Sequence, residues 1–142
     1  MDRVLEANQL SEKLPPELGN LTQIQRLLLS SNNFIGELPV TLANLTTLKD
    51  FRIGDNQFSG KIPDFIQRWT SLEKLAIQGS GLSGPIPSEI SLLESLTDLD
   101  LSFNNLTGPI PSTYESLRNV DRIYLTGNLL TGPVPAWTKK PV

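Results

Sequence analysis

Cysteine and histidine are both absent from the 142-residue chain. Their absence excludes thiol nucleophiles, histidine-based catalytic triads, disulfide bonds and zinc sites built on Cys and His. The chain also has no apolar run near the roughly 18 residues of a membrane span. Residues 1–5 contain no hydrophobic stretch typical of a signal peptide. We therefore expect no direct membrane contact by this chain.

The chain also lacks a strong excess of charge of either sign. It has 12 basic and 15 acidic residues, which gives a net charge of −3. This balance provides no electrostatic basis for binding nucleic acid or an anionic membrane. With 38% hydrophobic and 19% charged residues, the composition is that of a folded soluble protein.

A 24-residue repeat runs through the chain without insertion or deletion. Position 1 of the repeat is occupied by Leu21, Leu45, Trp69, Leu93 and Leu117. Position 12 is asparagine except at Ser80, and position 19 is always proline. Such a period predicts a solenoid in which each repeat packs on its neighbours. We expect six repeats over residues 1–138, the first and last incomplete, and a tail at 139–142.

Each repeat position has a structural role that its residue type indicates. Positions 4, 7 and 9 are apolar, and their alternation predicts one short strand per repeat and hence a parallel sheet. The position-12 asparagines are expected to form a buried hydrogen-bonded ladder, interrupted at Ser80. Glycine at position 16 and proline at position 19 predict bends where backbone pairing stops.

The motif from Leu93 to Pro111 reads Leu-xx-Leu-xx-Leu-x-Leu-xx-Asn-x-Leu-x-Gly-Pro-Ile-Pro and resembles the plant-specific leucine-rich repeat. The resemblance implies an α/β solenoid: a right-handed superhelix with a parallel β-sheet on the concave face and 3₁₀ turns on the convex face. The segment 62–87 resembles the ectodomains of plant receptor-like serine/threonine kinases in which a malectin-like domain follows the repeats. That likeness implies an extracellular location at the plasma membrane and binding of a ligand and a co-receptor.

Outward-facing strand positions are the candidates for binding. Positions 6, 8 and 10 should point onto the concave face, and position 11 should follow them at its rim. Exposed aromatic and arginine side chains dominate many interfaces. The predicted ligand-binding residues are Arg52, Asp55, Lys74, Gln78, Asp100, Phe103, Arg122 and Tyr124.

Three features of the outward-facing surface also have purely structural explanations. Position 6 alternates in charge along the stack, which predicts a ladder of opposite charges that stabilises little. Phe103 has the alternative of packing on the rim of its own sheet. The segment 79–81, Gly-Ser-Gly, is either a bare patch for a partner backbone or a repeat that lost its asparagine.

Three Asn-x-Ser/Thr sequons predict N-glycosylation at Asn20, Asn44 and Asn105. Asn20 and Asn44 share one repeat position, so they are not independent of each other. A glycan on Asn105 would flank Phe103 and weaken its candidacy as a binding residue.

The leading hypothesis is a non-catalytic recognition segment of a plant receptor-like kinase that binds a peptide or protein through its concave face. We read the chain as a fragment or a short version, because the cap, membrane span and kinase of the family are absent from it. The alternative is a secreted soluble repeat protein, similar to polygalacturonase inhibitors or ice-binding proteins. Enzymatic activity is not expected, because nothing in the repeat builds a pocket around Asp98 and Asp100, and no cofactor or metal is expected.

The first repeat predicts a further contact. Leu5, Leu10, Leu14 and Leu18 line its turn without a polar cap before them. We expect this edge to be covered by a partner, by further sequence, or by end-to-end self-association.

Overall fold

A computed structural model of the chain describes residues 1–139. It contains twelve short strands and six 3₁₀ turns. The strands are β1 (Asp2–Val4), β2 (Ser11–Lys13), β3 (Arg26–Leu28), β4 (Asn33–Gly36), β5 (Asp50–Arg52), β6 (Gln57–Phe58), β7 (Lys74–Ala76), β8 (Ser83–Pro85), β9 (Asp98–Asp100), β10 (Asn105–Gly108), β11 (Arg122–Tyr124) and β12 (Leu129–Leu130).

The odd-numbered strands form the predicted parallel sheet, in the order β1-β3-β5-β7-β9-β11. Equivalent repeat positions pair directly, as Asp50 does with Lys74 and Arg52 with Ala76. The pairing repeats at the same spacing throughout the sheet. The strand prediction and its register are therefore confirmed.

The even-numbered strands form two smaller sheets that the sequence did not lead us to expect, β2-β4-β6 and β8-β10-β12. Their pairing is offset from the repeat: Ser11 pairs with Asn33 and Ser83 with Asn105, a difference of 22 residues rather than 24. Between β6 and β8 the pairing is reduced to an isolated bridge from Lys61 to Ser83. The backbone hydrogen bonding on this side is therefore weakest between the third and fourth repeats.

The expected 3₁₀ turns follow the position-19 prolines. Pro39 has φ −67° and ψ 140°, an extended conformation that ends the preceding segment and lets the turn begin. The turns are Pro16–Asn20, Val40–Asn44, Asp64–Arg68, Ser88–Leu92, Ser112–Ser116 and Ala136–Lys139. The last turn extends one residue past the predicted boundary at 138, and residues 140–142 of the predicted tail lie outside the described residues.

The core lies between the large sheet and the turns and runs the length of the stack. The position-1 residues Leu45 and Trp69 are fully buried, as is Phe51 at position 7. The Trp69 indole packs 4.8 Å from the Phe51 ring, between centroids, and its N–H donates to the Leu42 carbonyl at 2.8 Å. In the fifth repeat a buried tyrosine, Tyr114, donates its hydroxyl to the Pro87 carbonyl at 3.2 Å.

The position-12 asparagines form the predicted ladder. The Asn56 amide donates to the carbonyls of Ile53 (3.0 Å) and Gly54 in its own repeat, and to that of Leu29 in the preceding repeat at 3.1 Å. Its carbonyl oxygen accepts from the Phe34 backbone N–H at 3.1 Å. Asn32, Asn56, Asn104 and Asn128 each tie two repeats together in this way.

Ser80 interrupts this ladder as predicted. Its hydroxyl donates within its own repeat, to the Ile77 carbonyl. The backbone N–H groups of Ser80 and Leu82 both donate to the Asn104 carbonyl oxygen, each at 3.1 Å. Within residues 1–139 no side-chain bond from Ser80 reaches the third repeat, which coincides with the break between β6 and β8.

Candidate functional site

The concave face of the large sheet holds a hollow of about 430 Å³, called the central hollow. Seven of the eight predicted binding residues line it: Arg52, Asp55, Lys74, Gln78, Asp100, Arg122 and Tyr124. They converge because equivalent positions of neighbouring strands stand side by side, about 4.8 Å apart. The repeat register therefore places residues distant in sequence on one surface.

The eighth residue, Phe103, lines a second hollow of about 310 Å³, called the rim hollow. Its other lining residues are Asp100, Ser102, Tyr124 and Thr126. Asp100 and Tyr124 border both hollows, so the two form one continuous surface. Sequence reasoning did not assign Ser102 and Thr126 to the site, although their place at position 10 already indicated that they face the concave surface.

Arg52 is held flat against its own strand. Its guanidinium donates two hydrogen bonds of 2.9 Å to the two carboxylate oxygens of Asp50. This contact is the main cause that raises the pKa of Arg52, while burial opposes it. Because bidentate pairs are geometrically specific, Arg52 presents a fixed edge to the central hollow.

The predicted ladder of opposite charges is largely wrong. The position-6 side chains stand in the expected order, but among them only Asp2 and Arg26 form an ion pair within residues 1–139, at 3.5 Å. Asp50 turns to Arg52 instead. An exposed ion pair stabilises a protein little when it forms, so the other position-6 side chains remain apart. Within the described residues Lys74 and Arg122 have no ion-pair partner, which leaves two positive charges facing the hollow.

Several residues at the concave positions are less exposed than the inward and outward alternation of residues along each strand suggests. Leu28 at position 8 is only 3% exposed, and Ser30 and Ser102 at position 10 are also buried. Close spacing of the strands crowds the inner side of a curved sheet, so small or flat-lying side chains there lose contact with water. In repeats three to six the longer side chains therefore provide most of the accessible concave surface.

Position 11 adopts a left-handed backbone conformation in every repeat, which sequence reasoning missed. Its φ is 53° at Asp55, 59° at Gly79, 56° at Phe103 and 76° at Gly127. A β-carbon on Gly127 would lie 2.4 Å from Cδ1 of Phe103, and one on Gly79 would lie 2.9 Å from Oδ1 of Asp55. Each glycine thus makes room for the side chain of the repeat before it.

Phe103 lies over this glycine and remains 64% exposed. The alternative reading of Phe103 as a residue packed on its own rim is therefore only partly right. Tyr124 beside it is 49% exposed. A bulky residue with positive φ is uncommon in proteins, and here the conformation belongs to the turn that all six repeats share.

Gln78 fills the space above a glycine in the preceding repeat. A β-carbon on Gly54 would lie 2.5 Å from the Gln78 Nε2 atom. The Oε1 atom of Gln78 is buried and has no hydrogen-bond partner among residues 1–139. This unsatisfied acceptor borders the central hollow.

All three sequon asparagines, Asn20, Asn44 and Asn105, are exposed. The first two end 3₁₀ turns, and Asn105 begins β10 near the rim hollow. Their glycosylation stays a prediction. Within residues 1–139 no group of acidic residues is arranged to hold a metal ion, and no helix there is long and apolar enough to cross a membrane.

The repeat geometry matches a known family. Residues 23–45, 47–69 and 95–117 match the family described as Leucine Rich Repeat. The BIR2 ectodomain from Arabidopsis thaliana is similar to 94% of this chain at 31% identity, with a TM-score of 0.84, and the chain covers 70% of it. The chain belongs to the leucine-rich repeat family. The rest of its fourth repeat after Trp69, with Ser80, lies outside the three matched segments.

Two further solved structures resemble this leucine-rich repeat chain. One is the Arabidopsis receptor kinase HAESA in complex with the peptide hormone IDA and the co-receptor SERK1, with 38% identity over 95% of the chain and a TM-score of 0.92. The other is a plant ice-binding protein, with 32% identity over 95% of the chain and a TM-score of 0.91. The chain spans 23% of the HAESA chain and 44% of the ice-binding protein. No curated protein matches the sequence significantly.

Proposed function

We propose that the chain is a non-catalytic recognition segment of a plant receptor kinase, and that it binds a peptide or a protein segment in the central hollow. The observation that carries the proposal is the convergence of seven predicted residues on one concave surface. These side chains interrupt the repeat pattern, and they combine charge of both signs with an exposed tyrosine. The likeness to HAESA, which is solved with a peptide hormone, supports the same class of ligand.

The dimensions of the sheet suit a short ligand segment. Six strands span roughly 24 Å, which accommodates about seven residues of extended peptide. Lys74 and Arg122, which have no ion-pair partner among residues 1–139, offer positive charge, and Asp100 offers a carboxylate. Gln78 Oε1 lacks a donor within the described residues, and a peptide N–H would satisfy it after a small side-chain movement.

A selection from a random peptide library displayed on phage tests this proposal. Peptides selected on the wild-type chain should lose binding to the triple variant Arg52→Ala, Asp100→Ala, Tyr124→Ala. A control variant, Asp64→Ala with Arg68→Ala, removes an acid and an arginine from an exposed 3₁₀ turn and should bind as the wild type does. Peptides that bind the triple variant unchanged would place recognition outside the central hollow.

The proposal extends to the parent protein. We assign the chain to the extracellular side of the plasma membrane and expect a co-receptor to take part in binding, as in the HAESA complex. Membership in the subgroup with a malectin-like domain stays a prediction. Expression of the chain with a secretion signal in plant cells, followed by glycosidase treatment, would show whether Asn20, Asn44 and Asn105 carry glycans.

Ice binding is the second candidate, favoured by one surface feature. The outward residues at position 15 of the smaller sheets are hydroxylated in five of six repeats: Ser11, Ser59, Ser83, Thr107 and Thr131. The pairing offset in these sheets sets Ser83 beside Asn105 and Thr107 beside Leu129 rather than beside the next hydroxyl, so the array is irregular. A thermal-hysteresis measurement decides between the candidates, and we expect no hysteresis.

We also propose self-association through the first repeat. Leu5 and Leu10 are 41% and 39% exposed, whereas Leu14 is buried, contrary to its expected exposure. Light scattering over a wide concentration range should show association, and Leu5→Glu with Leu10→Glu should abolish it. A wild-type chain that stays monomeric throughout would refute this contact.

A further inference from the structure

The rim hollow differs from the central hollow in its chemistry. Two exposed aromatic side chains, Phe103 and Tyr124, border it together with two residues that carry hydroxyl groups, Ser102 and Thr126. Asp100 is the only acidic residue among the five that line it, and none of the five is basic. The only charge in this hollow is therefore the Asp100 carboxylate, whereas the central hollow mixes the basic residues Arg52, Lys74 and Arg122 with several acidic ones.

The carboxylate of Asp100 is fixed and still has free acceptor capacity. Its Oδ1 accepts hydrogen bonds from the backbone N–H of Ser102 at 3.0 Å and from the Ser102 hydroxyl at 2.5 Å. Within residues 1–139 its Oδ2 atom has no hydrogen-bond partner. A carboxylate accepts about four hydrogen bonds, so one oriented donor group can still be bound.

Phe103 is held over the rim by the backbone rather than by a hydrophobic pocket. Its positive φ of 56° directs the side chain toward the next repeat, where Gly127 leaves the space for the ring. The ring is well exposed despite the unfavourable backbone conformation. Because every position-11 residue has this conformation, the turn of the repeat sets the direction of the Phe103 side chain and leaves its ring open to a ligand.

We propose that the rim hollow is a subsite for one cationic side chain, arginine or lysine, of the bound peptide or protein. This inference rests on the proposed function and assigns one ligand residue to one part of the concave face. The aromatic faces attract a cation through their quadrupoles, and the Asp100 Oδ2 atom accepts its N–H. Arginine is favoured over lysine, because its planar guanidinium stacks on an aromatic ring.

Titrations observed by NMR of the Phe103 and Tyr124 ring protons test the subsite with defined probes. The probes are N-acetyl-arginine methylamide, the lysine equivalent, and N-acetyl-citrulline methylamide, which keeps the shape of arginine without its charge. We expect both cations to shift these ring signals, arginine at lower concentration, and citrulline to bind roughly threefold to tenfold more weakly. Equal shifts with citrulline would overturn the inference.

Four variants locate the effect. Phe103→Ala and Asp100→Asn should each weaken arginine binding roughly threefold to tenfold. Gly127→Ala should weaken it as well, because the added β-carbon displaces the Phe103 ring. Gly79→Ala is the matched control, since it sits at the same repeat position with positive φ but displaces Asp55 instead. Equal effects of the two glycine variants would contradict the role of Phe103.

The two proposals fail in different ways. If the phage selection yields peptides bound through the central hollow but the probes do not distinguish charge, the cation subsite is wrong and the proposed function stands. If no peptide is selected while arginine still shifts Phe103 in preference to citrulline, the peptide-binding role is wrong and the subsite chemistry stands.

Discussion

At the scale of the residue, Asn104 is the most connected member of the asparagine ladder. Its amide donates to the carbonyls of Ile77, Leu101 and Ser102. Its oxygen accepts from Leu82, as the ladder requires, and also from Ser80, which compensates for the missing fourth asparagine. The Asn8 side chain, in contrast, is exposed and, within residues 1–139, donates only to the carbonyls of Leu5 and Glu6.

We therefore expect Asn104→Ala to lower the free energy of unfolding by about 3 kcal/mol, because it leaves several buried backbone groups without partners. Asn8→Ala removes bonds that water can replace and should lower it by less than about 1 kcal/mol. Urea unfolding followed by circular dichroism measures both. Equal losses would show that the ladder contributes nothing beyond local turn formation.

Tyr114 gives the stability a dependence on alkaline pH. Burial raises the pKa of Tyr114 above its ordinary 10.0, and the Glu89 carboxylate adds to the rise. Above pH 10 the unfolded chain loses the phenol proton while the folded chain keeps it, so stability is complete below pH 10 and falls as the pH rises.

The expected slope from this residue is about 1.4 kcal/mol per pH unit above pH 10. Tyr114→Phe should cost about 1 kcal/mol at neutral pH through the lost hydrogen bond to Pro87 and should abolish the slope. Tyr124→Phe leaves Tyr114 in place and should therefore keep the slope. Urea unfolding at a series of pH values measures the slope of each variant. If the slope persists in Tyr114→Phe, it arises from another group.

At the scale of the element, the contact between the third and fourth repeats is close despite its reduced pairing. A β-carbon on Gly81 would lie 2.3 Å from the backbone oxygen of Phe58. Gly108 in the next repeat also has a positive φ, but a β-carbon added there would have no atom of residues 1–139 within 4 Å beyond its chain neighbours. The two glycines therefore separate the effect of close approach from the effect of backbone conformation.

Gly108→Ala should lower the free energy of unfolding by about 1–2 kcal/mol through the left-handed conformation alone. Gly81→Ala should lower it by at least about 3 kcal/mol, because a backbone atom must also move. Thermal unfolding of both variants measures the difference. Similar losses would mean that the third and fourth repeats separate easily.

The sequence predicted the large sheet because its apolar alternation is strict and its register follows from the period. It did not predict the smaller sheets, whose strands, such as Asn105–Gly108, mix polar residues with glycine and pair with an offset. It identified seven of the residues that line the central hollow, because positions such as those of Arg52 and Tyr124 stand on regular strands. The Asp50–Arg52 pair and the left-handed position 11 depend on side-chain choice and turn geometry, which periodicity does not encode.

At the scale of the whole molecule, packing is uneven along the stack. Leu29 and Phe34 in the second repeat are buried, whereas Leu5 and Leu10 at the equivalent positions of the first repeat are exposed. In a solenoid each repeat is stabilised mainly by its neighbours, so the ends should open independently of the centre.

Hydrogen exchange should therefore show greater protection in repeats two to five than in the first and last. The amide of Ile77, bonded to the Asp100 carbonyl at 2.9 Å, should exchange far more slowly than that of Leu5, bonded to Leu28 at the same distance. Mass spectrometry on peptic fragments resolves the two regions. Uniform protection would indicate that the stack opens as a single cooperative unit.

The glycines at position 11 also limit how the rim can change its specificity. A side chain at this position occupies the space above its successor, as Asp55 does above Gly79 and Phe103 above Gly127. In both pairs a larger residue is followed by glycine, so the rim side chains of Asp55 and Phe103 stand two repeats apart, roughly 10 Å along the stack. A ligand that exploits two such contacts must place its own anchoring residues at about every third position of an extended chain.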